Sequence, residues 1–131
     1  MLVTEWPDDA ATRWPSFTTA EMACKCGCGA LPAHGFMDRL QYVRTSADRP
    51  FVITSGARCP AHNSTVSRTT GRDGPHTTGL AVDIACNATL AFEIVQAALA
   101  NGVRRIGIKQ QGSGRFVHLD VVPGPAVIWT Y

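Results

Sequence analysis

The segment Pro75-His76-Thr77-Thr78-Gly79-Leu80-Ala81-Val82-Asp83 sets an imidazole ahead of a carboxylate, with six residues between them. Gly79 lets the chain turn, so a loop histidine can meet a carboxylate carried on a strand. Further on, Phe116-Val117-His118-Leu119-Asp120 alternates, which puts His118 and Asp120 on one face and Val117 and Leu119 on the other. Taken singly, each group has an ordinary explanation: a loop histidine is solvated, and a carboxylate beside a small apolar run sits in a turn. Taken together they differ, because Asp83 lies inside one apolar strand and His118-Leu119-Asp120 interrupts another. A buried charge without a partner is costly or neutralises, so two inward polar clusters need something to satisfy them. A zinc ion held by His, Asp and His, with a fourth position open, would do so.

Several elements must position these groups. Leu80-Ala81-Val82-Asp83-Ile84 reads as a strand, Arg115 to Val122 as the clearest strand of the chain, and Val103 to Lys109 as its neighbour across a turn at Gln110 to Gly114. So short a turn makes those last two antiparallel. Phe51-Val52-Ile53-Thr54 predicts another core strand, while Pro123, Gly124 and Pro125 break the pattern before a terminal Val127-Ile128-Trp129. From Pro32 to Ser46, Phe36, Met37, Leu40 and Val43 recur at helical spacing opposite Asp38, Arg39, Gln41 and Arg44, predicting an amphipathic helix that starts at Pro32. A second helix runs from about Ala88 with Leu90, Ile94, Val95, Ala98 and Leu99 on one side, and Asn101-Gly102 ends it.

Thr18 is placed to cap a short turn containing Glu21 and Met22, and Pro60 to open a short helix over Ala61 to Val66. Ser67 to Gly79 is a polar, glycine-bearing loop of the length that commonly carries function. Residues 1–15 show no period and read as an arm lying over the core through Trp6 and Trp14, ahead of a domain over residues 16–131. The class is α+β, a small, mostly antiparallel sheet flanked by helices.

Composition bounds the function. A length of 131 residues suits one domain, and 45% hydrophobic against 17% charged residues allows a core and excludes disorder. No run approaches the ~18 apolar residues that span a bilayer, so membrane insertion is not expected. A net charge of +2, with basic residues scattered and few aromatics beside them, argues against a nucleic-acid module. The N-terminus carries Glu5, Asp8 and Asp9 with neither a basic region nor an apolar one, so no signal peptide is expected; the protein would be made in the cytoplasm and act after release. A monomer is expected.

Five cysteines are an odd number, which leaves at least one thiol free. The run Cys24-Lys25-Cys26-Gly27-Cys28-Gly29 could feed a metal that only Cys59 or Cys86 would complete. Reduced thiols are the favoured reading, a disulfide to Cys59 or Cys86 the next, and a second, structural zinc the least favoured, because zinc clusters usually use two-residue spacers and a second pair.

These residues resemble the zinc D-Ala-D-Ala carboxypeptidase family of peptidoglycan peptidases, which includes phage endolysins and shares its fold with the hedgehog signalling domain. The family pattern Ser-x-His-x-x-Gly-x-Ala-x-Asp is matched from Gly74 to Asp83 at all but the first position, where Gly74 replaces serine. Ser55-Gly56-Ala57-Arg58-Cys59-Pro60-Ala61-His62-Asn63 is similar to its Ser-Gly-Tyr-Arg-Cys-Pro-x-His-Asn segment. Phe116-Val117-His118-Leu119-Asp120 resembles its Phe-Val-His-x-Asp strand, and the cysteine run from Ala23 to Gly29 resembles one near its N-terminus. The likeness covers about residues 16 to 125 in the family's order.

The resemblance implies a zinc peptidase domain over residues 16–131, with His76, Asp83 and His118 as ligands of one catalytic Zn2+ and peptidoglycan stem peptide as substrate. It implies that Arg58 faces a substrate carboxylate, the alternative being a cap on the nearby turn. His62 and Asn63 are read as structural. The best-known members carry an acid three residues before the last histidine, whereas this chain has Arg115, which cannot serve as a base. Asp120 then stands either as general base or as the support of a ligand imidazole. The missing acid also favours a different reading, a zinc-containing cell-wall-binding module of the same fold without catalysis.

Overall fold

Five short alternating strands build one sheet in the computed structural model, which describes residues 1–131. They are β1 (Val52–Ser55), β2 (Ala81–Ala85), β3 (Arg105–Lys109), β4 (Phe116–Asp120) and β5 (Val127–Thr130), in the spatial order β1-β2-β4-β3-β5. All pairs are antiparallel except β3 with β5, which is parallel. Helices α1 (Ala10–Arg13), α2 (Thr19–Met22), α3 (His34–Ala47), α4 (Pro60–Val66) and α5 (Ala88–Ala100) complete an α+β domain.

Alternation sorts the side chains of the sheet. One face sends Val82, Ile84, Ile106, Val117 and Leu119 into the core, against Phe36, Met37, Leu40 and Val43 of α3 and Ala91, Ile94, Ala97 and Ala98 of α5. Burying a side chain of this kind is worth about 1.5–3 kcal/mol each, so this face holds the sheet flat against the helix pair. The other face is the polar one. Across it, cross-strand pairing lines up Ser55, Asp83, His118, Gly107 and Trp129 on one rung, and Ala81, Asp120, Arg105 and Val127 on another.

Some boundaries differ from the sequence reading for identifiable reasons. The long helix begins at His34 and not at Pro32, because the Pro32 carbonyl accepts the Trp6 indole N–H at 3.3 Å and the Ala33 N–H donates to Gly79. The end of the chain forms an edge strand on β3, and the loop ahead of β2 closes in a 3₁₀ turn over Pro75–Thr78. Thr18 caps α2 through a reciprocal pair with Glu21, and Pro60 opens α4. The first fifteen residues contain α1, bridge Val3 to Leu31, and seat a fully buried Trp14 in the core cluster.

Candidate metal centre

His76 hangs from the 3₁₀ turn, whose exit through Gly79 at φ +76° swings the chain into β2. A Cβ at that glycine would also press on the Met1 carbonyl at 2.8 Å, so the position needs glycine for both space and conformation. Asp83 and His118 face each other across β2 and β4. All three side chains are buried, and one ligand atom from each lies within 4.8 Å of the others. His118 Nδ1 stands 2.9 Å from Asp83 Oδ1, and His76 Nε2 stands 3.3 Å from the same oxygen.

The remaining nitrogen of each imidazole is held by an acceptor, which identifies the inward-facing atom. His76 Nδ1 donates to the Gly56 carbonyl at 2.8 Å, which makes Nε2 the ring atom turned to Asp83 and the one that would ligate an ion once it gives up its proton. His118 Nε2 donates to Asp120 Oδ2 at 2.7 Å, which leaves Nδ1 for the centre. Donors on a tetrahedral zinc at ~2.0–2.2 Å lie about 3.3–3.6 Å apart; the His76–Asp83 pair already has that spacing and the His118–Asp83 pair need open by only a few tenths of an ångström, so the donor set fits the ion.

Charge at the site is tightly coupled. Burial pushes the Asp83 carboxyl up, but hydrogen bonds from His118 and then His76 more than reverse it, and it is held well below the usual carboxylate range. Burial likewise opposes a charge on His118, yet Asp120 and Asp83 on its two sides raise its pKa above the ordinary value. The Asp120 carboxyl, pushed up by burial, is drawn down further by His118 and Arg105.

Asp120 is fully buried, and both its oxygens are engaged: Oδ2 by His118, Oδ1 by Arg105 Nε at 2.6 Å and the Val122 N–H at 3.1 Å. Arg58 is turned inward. Its Nε donates to Ser55 Oγ at 2.9 Å, Nη1 to Asn63 Oδ1 at 3.2 Å and Nη2 to Asp83 Oδ2 at 3.3 Å, leaving the side chain 18% exposed. Asn63 is buried, and its amide donates to Thr70 Oγ1 and the Gly71 carbonyl, pinning the loop that leads to His76. Where the family carries serine, a Cβ on Gly74 would meet Thr70 Oγ1 at 2.6 Å, so the Thr70 side chain fills that space. Position 115 is an exposed arginine.

Two aromatic groups at the site escaped the sequence reading. Trp129 lies with its ring 5.2 Å from that of His118, and the Arg105 guanidinium lies over the same indole at 5.6 Å. Tyr131 packs beside Phe116 at 5.0 Å. The signal was Gly107: a Cβ there would sit 2.6 Å from the indole, so a glycine in mid-strand marks the close approach of another group.

A second cluster forms nearby. Cys24, Cys26, Cys28 and Cys59 bring their sulfurs within 4.8 Å of one another, while Cys86 stands apart, hydrogen-bonded to Gln110. No disulfide is formed.

No curated protein and no solved structure matches the chain. The model of the Peptidase M15 family matches residues 15–120, a span that includes His76, Asp83, His118, Asp120, Arg58 and the four gathered cysteines. With its ligand-competent triad inside that span, the chain belongs to the Peptidase M15 family, the zinc D-Ala-D-Ala carboxypeptidase family.

Proposed function

We propose that this M15 peptidase is a zinc enzyme that hydrolyses an amide bond in the peptide part of bacterial peptidoglycan, as an endolysin-like endopeptidase or a D,D-carboxypeptidase. The observation that supports it is the orientation of the triad: His76 Nε2, Asp83 Oδ1 and His118 Nδ1 converge while every other polar atom of these side chains is held from behind. When bound, zinc supplies a Lewis acid and brings the pKa of a coordinated water toward ~7.

The residues of the chain divide the remaining work. Gly56 and Asp120 fix the tautomers of the two histidines, which makes Asp120 a positioning residue, because neither of its oxygens is free and none of it reaches solvent. Arg58 orients Asp83 through one N–H, and its fork retains N–H groups for a carboxylate of the stem peptide. Trp129 beside His118, and Tyr131 beside Phe116, supply an aromatic wall against which a peptide can lie.

One observation favours a second reading, a zinc-containing cell-wall-binding module. The acid that would act as base is Arg115 here, and the nearest carboxylate, Asp120, is wholly engaged. Digestion of purified cell walls separates the two. The enzyme releases muropeptides whose new termini, read by mass spectrometry, name the bond, and it does so reversibly with chelator and zinc; a module sediments with the walls and releases nothing.

A further inference from the structure

We propose that Cys24, Cys26, Cys28 and Cys59 bind a second metal ion, a structural zinc held by four thiolates, independent of the histidine centre. The sulfur separations carry the proposal. Cys24 Sγ lies 3.4 Å from Cys26 Sγ and 3.9 Å from Cys59 Sγ, and Cys26 Sγ lies 3.6 Å from Cys59 Sγ. Thiolates at ~2.3 Å from a tetrahedral zinc stand about 3.75 Å apart, inside that range.

The backbone is shaped for the same purpose. Cysteines two apart on an extended chain would be separated by about 6.6 Å of rise, so bringing them together requires a folded run. Gly27 at φ +85° and Gly29 at φ +86° supply the reversals, and nothing lies within 4 Å of where their Cβ atoms would be. These glycines therefore serve conformation and not space. The Gly27 N–H donates to the Cys24 carbonyl and the Cys24 N–H to the Ala30 carbonyl, closing a knuckle.

Two backbone N–H groups also aim at sulfur. Cys59 N–H donates to Cys24 Sγ, and His62 N–H donates to Cys59 Sγ, each at 3.4 Å. Such donors favour a thiolate over a thiol. Pairing in disulfides would divide the four between two bonds and demands nothing of this convergence; one tetrahedral ion uses all four and leaves Cys86 as the odd thiol. Four protein ligands leave no open position, so the ion is structural.

Its place in the fold gives it a task. The knuckle follows α2, whose Met22 carbonyl accepts the Ala57 N–H at 2.9 Å and lies where a Cβ on Gly56 would collide. Residues 56 to 59 thus run between the two clusters: Gly56 holds His76, Arg58 holds Asp83, and Cys59 would hold the second ion.

The test uses the full chain with His76→Ala, which disables the histidine centre and keeps every cysteine. Purified from zinc-supplemented cells, it is expected to retain one equivalent of zinc by elemental analysis. Replacing zinc with cobalt should give an intense thiolate-to-cobalt charge-transfer absorption in the near ultraviolet, and chelation should lower its Tm. A thiol reagent should modify the exposed Cys26 and Cys28 only after chelation. A Cys28→Ser variant should lose the absorption, but the intact-cysteine chain decides the matter even if that variant does not fold. A metal-free chain in which Cys26 and Cys28 react freely, a mass showing disulfides, or bound iron in place of zinc would each overturn the assignment, and none would bear on the histidine centre.

Discussion

The two clusters are built by different parts of the fold. The histidine centre is laid on a sheet rung, where Ser55, Asp83, His118, Gly107 and Trp129 are fixed relative to one another by backbone pairing whether or not an ion is bound. The cysteine cluster rests on a knuckle and the first residue before α4, with Cys26 and Cys28 exposed and no strand beneath them. A site carried by a sheet is held by the core behind it, here Val82, Ile84, Val117 and Leu119. A site carried by turns has only a few hydrogen bonds, so its order depends on what the sulfurs bind. Losing the first should cost chemistry; losing the second should cost local order.

The largest effect is expected from His118→Ala. If the proposed zinc enzyme is right, removing one of its three candidate ligands should bring cell-wall hydrolysis to the level without enzyme, while far-ultraviolet circular dichroism keeps the α+β signature. Retained lysis would show that the ligand set is wrong. Next comes Asp120→Asn, which weakens the acceptor behind His118 Nε2 and the partner of Arg105. Zinc affinity and kcat/KM should fall together by about 10–100-fold, as for other groups that orient a metal-bound histidine. A fall in kcat with zinc affinity unchanged would instead make Asp120 the general base.

The comparison also explains what the sequence could announce. His76, Asp83, His118 and Asp120 were readable because strand alternation and one turn glycine determine where each side chain points. The local half of the cysteine cluster was readable too, but the choice between Cys59 and Cys86 was not. It depends on α2 docking against residues 56 to 59, a contact no short-range pattern encodes. The resemblance sets Arg58 toward a substrate carboxylate; the contacts to Ser55 and Asn63 that steer its fork onto Asp83 come from a spatial arrangement only the folded loop reveals. Trp129 was missed because β5 joins β3 in parallel across a reversal at Pro123 to Pro125, a non-local pairing. The premature helix start at Pro32 has the same origin, an indole from Trp6 that takes the carbonyl.

Gly107→Ala tests how firmly the sheet fixes the histidine centre. The new methyl would stand 2.6 Å from the Trp129 ring, which must move off His118 or strain the strand. Overpacking of this kind costs about 1–3 kcal/mol, read as a lower denaturation midpoint with a shifted tryptophan emission. Zinc binding should survive, since the candidate ligands lie on β2, β4 and the 3₁₀ turn and none is on β5. Loss of zinc in this variant would mean that the aromatic edge, and not the sheet, holds the triad in place.

The smallest effect is expected far from both clusters, at Asp38. Its carboxylate accepts Arg13 Nε and Nη2 at 2.9 and 2.8 Å and the buried Trp14 indole N–H at 2.8 Å, tying the first fifteen residues to α3. The Arg13 hydrogen bond outweighs burial and keeps the carboxyl below its ordinary value. A carboxyl lowered on folding contributes stability above its unfolded pKa of ~3.9 and loses it as pH falls through the folded value. Asp38→Asn keeps an oxygen for Trp14 and gives up the charge, so its Tm should lie below that of the parent at neutral pH and converge with it in acid. Arg13 and Asp38 are both more than a third exposed, so added salt should shrink the gap at neutral pH as well. A gap that stayed constant across pH and salt would mean that Asp38 acts through the indole hydrogen bond and not through its charge.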